Sequence, residues 1–117
     1  MTWHKYNAKP TVYAGINFDS KAESIRYTQL LLLVRAGVIS ALQTHPTFEL
    51  QKAFIEVSSG KKQRAINYEA DFSHIEKGNP LLVVEDVKGV ETEAFKIKRK
   101  MFLYHYPQYE LRVIKVK

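Results

Sequence analysis

Three side chains, Asp71, Asp86 and Lys88, have the types and spacing that metal-assisted phosphodiester cleavage needs. The run Leu81-Leu82-Val83-Val84 reads as a buried strand, yet it continues directly into Glu85-Asp86-Val87-Lys88-Gly89. Side chains alternate faces along a strand, so Asp86 and Lys88 share one face and Glu85 takes the other. A carboxylate and an amine therefore stand side by side at the edge of an apolar core. Asp71 lies fifteen positions before Asp86, in a second strand-like run, Ile66-Asn67-Tyr68-Glu69-Ala70-Asp71-Phe72. If the two strands are hairpin neighbours, Asp71 and Asp86 converge on one divalent cation with Lys88 beside it. Such a cation polarises the phosphate and lowers the pKa of an attacking water, and a nearby amine stabilises charge in the transition state. Mg²⁺ suits a site of one or two carboxylates completed by water and phosphate oxygens, with Mn²⁺ as its substitute. The Val87 carbonyl is a further candidate ligand.

Other candidates are weighed against simpler roles. Glu85, on the opposite face, is expected to pair with a helix Lys or Arg. Glu23 closes Ser20-Lys21-Ala22-Glu23, a capping-box spacing that explains it without a metal. A helix-borne glutamate leaning over the sheet would equally complete a metal shell. The histidines, His4, His45, His74 and His105, share no metal-ligand spacing with one another. There is no nucleophile elbow and no glycine-rich phosphate loop.

The elements that must hold these residues follow from periodicity and breakers. A helix is expected over 20–36, with Ile25, Leu30, Leu31, Leu33 and Val34 as its buried stripe and Gly37 just past its end. Strands are expected at 38–43, 48–57, 64–75 and 81–88, the last three as an antiparallel meander. Thr92 caps a second helix over 93–106, with Ala94, Phe95, Met101, Phe102 and His105 inward and Pro107 as its stop. A last strand is expected over 109–117. The order gives an α/β (α+β mixed sheet) class, a central sheet of four to five strands flanked by two helices.

The chain has 117 residues, 45% hydrophobic, which fits one domain with one core; residues 1–18 read as a basic, aromatic arm with a short strand near Thr11–Tyr13. A net charge of +6 fits a polyanionic partner, with DNA foremost. The basic side chains fall in three groups: Lys5 and Lys9 in the arm, Lys61 and Lys62 with Arg64 at a hairpin tip, and Lys96, Lys98, Arg99 and Lys100 on the second helix, where Lys98 is placed on the inward half. Trp3, Tyr6 and Tyr13 in the arm are placed to stack on exposed bases. With no cysteine, a disulfide framework and a thiolate zinc site are excluded. No secretory signal is visible, no apolar run approaches the roughly 20 residues of a membrane span, and a cytoplasmic setting is expected.

Taken together, Phe18-Asp19-Ser20-Lys21-Ala22-Glu23, Tyr68-Glu69-Ala70-Asp71-Phe72, Val84-Glu85-Asp86-Val87-Lys88-Gly89 and the basic helix ending at Tyr106-Pro107 resemble the PD-(D/E)XK nuclease superfamily. The likeness is to its small phage-associated branch, a family catalogued as a domain of unknown function and similar to Holliday-junction resolvases. It covers residues 5–107. The resemblance implies a restriction-endonuclease-like core, a homodimer, and metal-dependent cleavage of branched DNA. By position it makes Asp71 the first motif acid, Asp86 the second, Lys88 the motif lysine, and Glu23 the helix glutamate at the metal. Three positions depart from the pattern: Ala70 replaces proline, Asp86 replaces glutamate, and His45 stands before Pro46 where an amide is expected. The rival readings are a nicking, flap, single-strand or RNA-directed nuclease on the same fold, and a catalytically silent DNA-binding accessory module.

Overall fold

The Ser20 hydroxyl accepts the Glu23 amide N–H at 3.2 Å and starts helix α1 (Lys21–Arg35). Gly37, at φ +75°, ends it: its N–H donates to the Val34 carbonyl and the Val38 N–H donates to that of Leu33. A residue with a Cβ adopts that left-handed conformation poorly, which is why glycine sits there. The buried stripe differs from the apolar count. Ile25 and Val34 face outward, 48% and 38% exposed, whereas Glu23, Ser24 and Leu30 are buried. Charged residues occupy inward positions on this helix, so counting apolar residues rotates the stripe the wrong way.

This computed structural model describes residues 11–13 and 15–116. A short hairpin, β1 (Thr11–Tyr13) and β2 (Ile16–Phe18), precedes α1; β1 is expected and β2 is not. A four-stranded sheet follows, made of β3 (Ile39–Thr44), β8 (Phe72–Glu76), β9 (Leu82–Lys88) and β10 (Tyr109–Lys115), in the spatial order β10-β9-β8-β3. Its β3–β8 and β8–β9 pairs are antiparallel, and β9–β10 is parallel. The parallel pair requires a crossover, supplied by α2 (Glu93–His105). The Thr92 hydroxyl caps α2 by accepting the Phe95 N–H at 3.0 Å. Phe95 and Phe102 are buried as expected, whereas Ala94 and His105 are exposed.

The expected meander is interrupted. The 48–57 run divides into β4 (Thr47–Gln51) and β5 (Phe54–Ile55), and the 64–75 run into β7 (Ile66–Glu69) and β8, with β6 (Lys62–Gln63) before them. β4 pairs with β7 and β5 with β6, but β8 takes β3 as its second neighbour. The segment from β3 to β8 is thus one long hairpin with a corner where His45-Pro46 faces Ala70-Asp71. Across the corner the His45 N–H donates to the Asp71 carbonyl at 2.8 Å and the Ala70 N–H to that of Pro46 at 3.0 Å. Pro46 has no N–H to give to the ladder and His45 sits at φ +53°, so the strand turns there.

Each face of the sheet has its own core. Phe48, Leu50, Tyr68, Val84, Phe95 and Phe102 pack under α2; Phe18, Leu30, Ile39, Phe72 and Val87 pack under α1. Strand β9 serves both, with Val83 through Val87 all buried. Replacing Thr92 with alanine should destabilise the fold by about 1 kcal/mol through loss of the cap. Urea unfolding should show this as a lowered midpoint with an unchanged slope.

Candidate metal centre

Strand β8 ends in register at Phe72 opposite Glu85, and Asp71 lies one residue beyond, at the corner. Its N–H donates to the Glu85 carbonyl at 3.0 Å, and its Oδ2 accepts the Val87 N–H at 2.6 Å. The carboxylate is therefore gripped by the backbone of β9 and is 1% exposed. Glu23 approaches from α1, fully buried, and His45 from the other arm of the corner. Glu23 Oε1 is 3.5 Å from His45 Nε2. One ligand atom each from Glu23, His45 and Asp71 lies within 4.8 Å of the others. The Val87 carbonyl lies on the same strand edge as its N–H and so faces this corner.

Asp86 stands beside this trio without belonging to it. Its Oδ2 accepts the Tyr68 hydroxyl at 2.5 Å, and its Oδ1 is 3.3 Å from Lys88 Nζ. Burial pushes the Tyr68 phenol up, and the charge and hydrogen bond of Asp86 and the charge of Asp71 push the same way; Arg99 pulls against them. Tyr68 therefore keeps its proton and donates it to Asp86. Lys88 lies over the Phe95 ring, 4.3 Å from its centroid, and the Arg99 guanidinium lies 5.5 Å from the same centroid. Two cations thus lie against one aromatic ring, an arrangement favoured by its negative faces.

Glu85 points to the other side of the sheet, as strand alternation requires. Arg26 of α1 grips it with Nε and Nη2 at 2.7 and 2.8 Å, and His74 Nε2 lies 3.1 Å from Oε2. Burial alone would raise the Glu85 carboxyl; the bonds from Arg26 and His74 and their charges outweigh it and hold it at about 2. Arg26 is one helical turn beyond Glu23, so the pair fixes the helix that presents Glu23.

A model of one protein family, described as "Protein of unknown function (DUF1064)", matches residues 3–117. The chain belongs to the DUF1064 family. No curated protein and no solved structure matches it.

In this DUF1064 chain, the acids and lysine singled out from sequence divide into two groups rather than converging on one point. Asp71 shares its immediate surroundings with Glu23 and His45, and Asp86 is held by Tyr68 and Lys88. The Glu23 N–H is capped by the Ser20 hydroxyl, and its carboxylate lies beside His45 and Asp71. His45 is the residue that sequence reasoning missed. It lies 26 positions from Asp71, and only the corner brings them together; Pro46, as a strand interrupter, was the available signal. Among the basic groups, Arg99 is the helix cation tied to the site, through Phe95 and an ion pair to Glu91 at 2.8 Å. Lys98 is half-buried, Lys100 is exposed, and Lys96 pairs with Glu93 at 3.5 Å. Lys61 and Lys62 are exposed at the hairpin tip, and Lys5 and Lys9 lie outside the described residues. No described helix is long and apolar enough to cross a membrane.

Two measurements test the α1 anchor. Arg26→Ala leaves a buried carboxylate without its main partner and should cost about 3 kcal/mol. Because the folded Glu85 carboxyl is held below its ordinary value of 4.5, its stabilisation is complete above about pH 4.5 and is lost as pH falls toward 2. Acid unfolding followed by circular dichroism should be less steep in that window for Glu85→Gln than for the wild type.

Proposed function

We propose that this protein is a metal-dependent endodeoxyribonuclease of the PD-(D/E)XK type, acting on branched DNA in the manner of a Holliday-junction resolvase. The observation that carries this reading is the convergence of Glu23, His45 and Asp71 at the strand corner, with Asp86 and Lys88 on the adjoining strand. A trio of two carboxylates and one imidazole fits a divalent cation. The oxygens suit Mg²⁺, and the imidazole shifts preference toward Mn²⁺. Glu23, His45, Asp71 and the Val87 carbonyl are the residues that would hold it, with Asp86 at its flank. When bound, the cation supplies positive charge to the phosphoryl oxygens and acidity to a water.

The remaining work belongs to the chain. The Val87 N–H holds the Asp71 carboxylate in place beside Glu23 and His45. Tyr68 donates to Asp86 and holds that carboxylate in one rotamer. Lys88, half-buried beside Asp86 and over Phe95, offers its ammonium to a phosphate oxygen as negative charge develops. Arg99 adds a second positive group next to it, and Lys96, Lys98 and Lys100 provide further backbone contacts along α2. Two symmetric nicks at a junction need two sites, and one chain of this size carries one, so the active species is a homodimer.

The test is cleavage of a labelled four-way DNA junction, with linear duplex and single strand as controls, in Mg²⁺, Mn²⁺ or EDTA. Paired symmetric nicks are expected with either metal and none in EDTA. Asp71→Asn and Asp86→Asn should reduce cleavage by on the order of 10²–10³-fold, and Lys88→Ala by about 10²-fold. Equal cutting of every substrate would keep the nuclease and remove the junction specificity. Junction binding with no cutting in any metal would leave the accessory-module reading instead.

The metal set has its own readout. His45→Ala should weaken Mn²⁺ binding, measured by calorimetry, by at least about 10-fold while affecting Mg²⁺ less. Equal affinities in variant and wild type would remove His45 from the ligand set.

A further inference from the structure

The distal half of the long hairpin plays no part in either core. Beyond β4 and β7 it continues as β5 and β6 and closes through residues 56–61. Phe54 and Ile55, successive residues on opposite faces, are 47% and 58% exposed, and Val57 at the tip is 98% exposed. An ordinary surface hairpin covers at least one face; this one leaves large apolar side chains open on both.

The tip is nevertheless held firmly. The Glu56 N–H donates to the Lys61 carbonyl at 2.8 Å, the Gly60 N–H to the Glu56 carbonyl at 2.8 Å, and the Lys61 N–H to the Ser59 hydroxyl at 3.2 Å. Gly60 adopts φ +71°, the left-handed conformation that closes the loop. Glu56, the one acid between residues 52 and 66, is turned inward: Ser58 and Gln63 donate to its carboxylate at 3.1 and 3.2 Å. The Ser58 and Ser59 hydroxyls, with Gln63, hold that carboxyl below its usual range. Lys52, Lys61, Lys62 and Arg64 lie on the same hairpin, all exposed, and none is ion-paired among the described residues. The result is a rigid, basic arm with an apolar end.

We infer that this arm is a DNA-binding wedge: Lys52, Lys61, Lys62 and Arg64 grip phosphates while Val57, Phe54 and Ile55 enter between unstacked bases at a branch point. The inference rests on the nuclease reading and adds to it the means of substrate choice. Charge complementarity selects nucleic acid as the occupant, since four exposed cations without ion pairs lie on the hairpin that carries the apolar end, and its single acid is internally bonded. Reach agrees. At about 3.3 Å per extended residue, the path from the corner at Thr47 to Val57 reaches at most about 33 Å, comparable to the ~34 Å turn of B-DNA. An arm of that length lets the metal corner meet one phosphate while the tip meets bases about one turn away. Apolar wedges of this kind unstack a base step most easily where stacking is already broken, which favours branches over continuous duplex.

The test measures binding in EDTA, so that cleavage is absent, to a four-way junction and to linear duplex carrying 2-aminopurine near the branch or the equivalent duplex position. The proteins are wild type, Asp86→Asn, Lys61→Ala/Lys62→Ala and Phe54→Ser/Val57→Ser, each checked for folding by circular dichroism and thermal melting. Wild type should bind the junction more tightly than duplex and raise its 2-aminopurine emission, and Asp86→Asn should raise that emission too. The lysine variant should bind both DNAs more weakly, with a salt slope lower by about 2. The apolar variant should keep that slope, lose the emission change, and lose most of its preference for the junction. Full emission and preference in the apolar variant overturn the wedge, and so does an unaltered salt slope in the lysine variant. A folded wild type that binds neither DNA also overturns it. If the hairpin variants change only the sedimentation of the free protein, the tip is a contact between copies and the inference fails. The nuclease reading is judged separately by metal-dependent cleavage of the junction by the wild type, which EDTA abolishes and Asp86→Asn sharply reduces whether or not the hairpin variants alter binding.

Discussion

A fully buried carboxylate in the middle of the central strand constrains this molecule more than any other group. Glu85 cannot be left charged inside a sheet without partners. Arg26 meets that demand with a two-pronged bond from α1, and His74 adds a third contact from β8. The geometry of such a fork is narrow, so the helix has one depth and one rotation on the sheet. Glu23 lies three residues before Arg26 and inherits both. A charged pair on one side of β9 thereby sets the position of a carboxylate that reaches the strand corner.

The neighbouring residue shows the same economy on the opposite side. Asp86 follows Glu85 directly, yet the two carboxylates see different surroundings because the strand separates them. Glu85 is locked by a permanent guanidinium. Asp86 has a phenol and an ammonium, one donating a hydrogen bond and the other only 3.3 Å away. The first arrangement suits a fixed support. The second leaves a carboxylate and an amine next to one another at the edge of the core. Two acids in succession thus have different partners on the two sides of one strand.

Much of this was legible in the residues. Period-2 alternation placed Asp86 with Lys88 and sent Glu85 to a Lys or Arg on a helix, found as Arg26. The caps at Ser20 and Thr92 and the stop at Gly37 marked both helices because each satisfies backbone groups locally. What failed to show were features fixed by distant contacts. The inward side of α1 carries Glu23 and Arg26, so a count of apolar residues could not find it and gave Ile25 and Val34 an interior they do not have. The two long strand runs looked continuous because their apolar pattern is continuous; the corner comes from Pro46 and the left-handed His45, and it moves the partner of β8 from β4 to β3. His45 itself has no spacing relation to Asp71 that a sequence could display.

The parallel pairing of β9 with β10 bears on when the molecule becomes competent. Every other neighbour of β9 precedes it in the chain, but β10 follows only after the whole of α2, twenty residues later. Until residues 109–115 have been synthesised and α2 has folded back across the sheet, one edge of the most buried strand carries open amides and carbonyls. The backbone that grips Asp71 and carries Asp86 and Lys88 therefore gains its last support only after α2 and β10 are in place. A nascent chain holds all the acidic residues of the site well before it can hold them still.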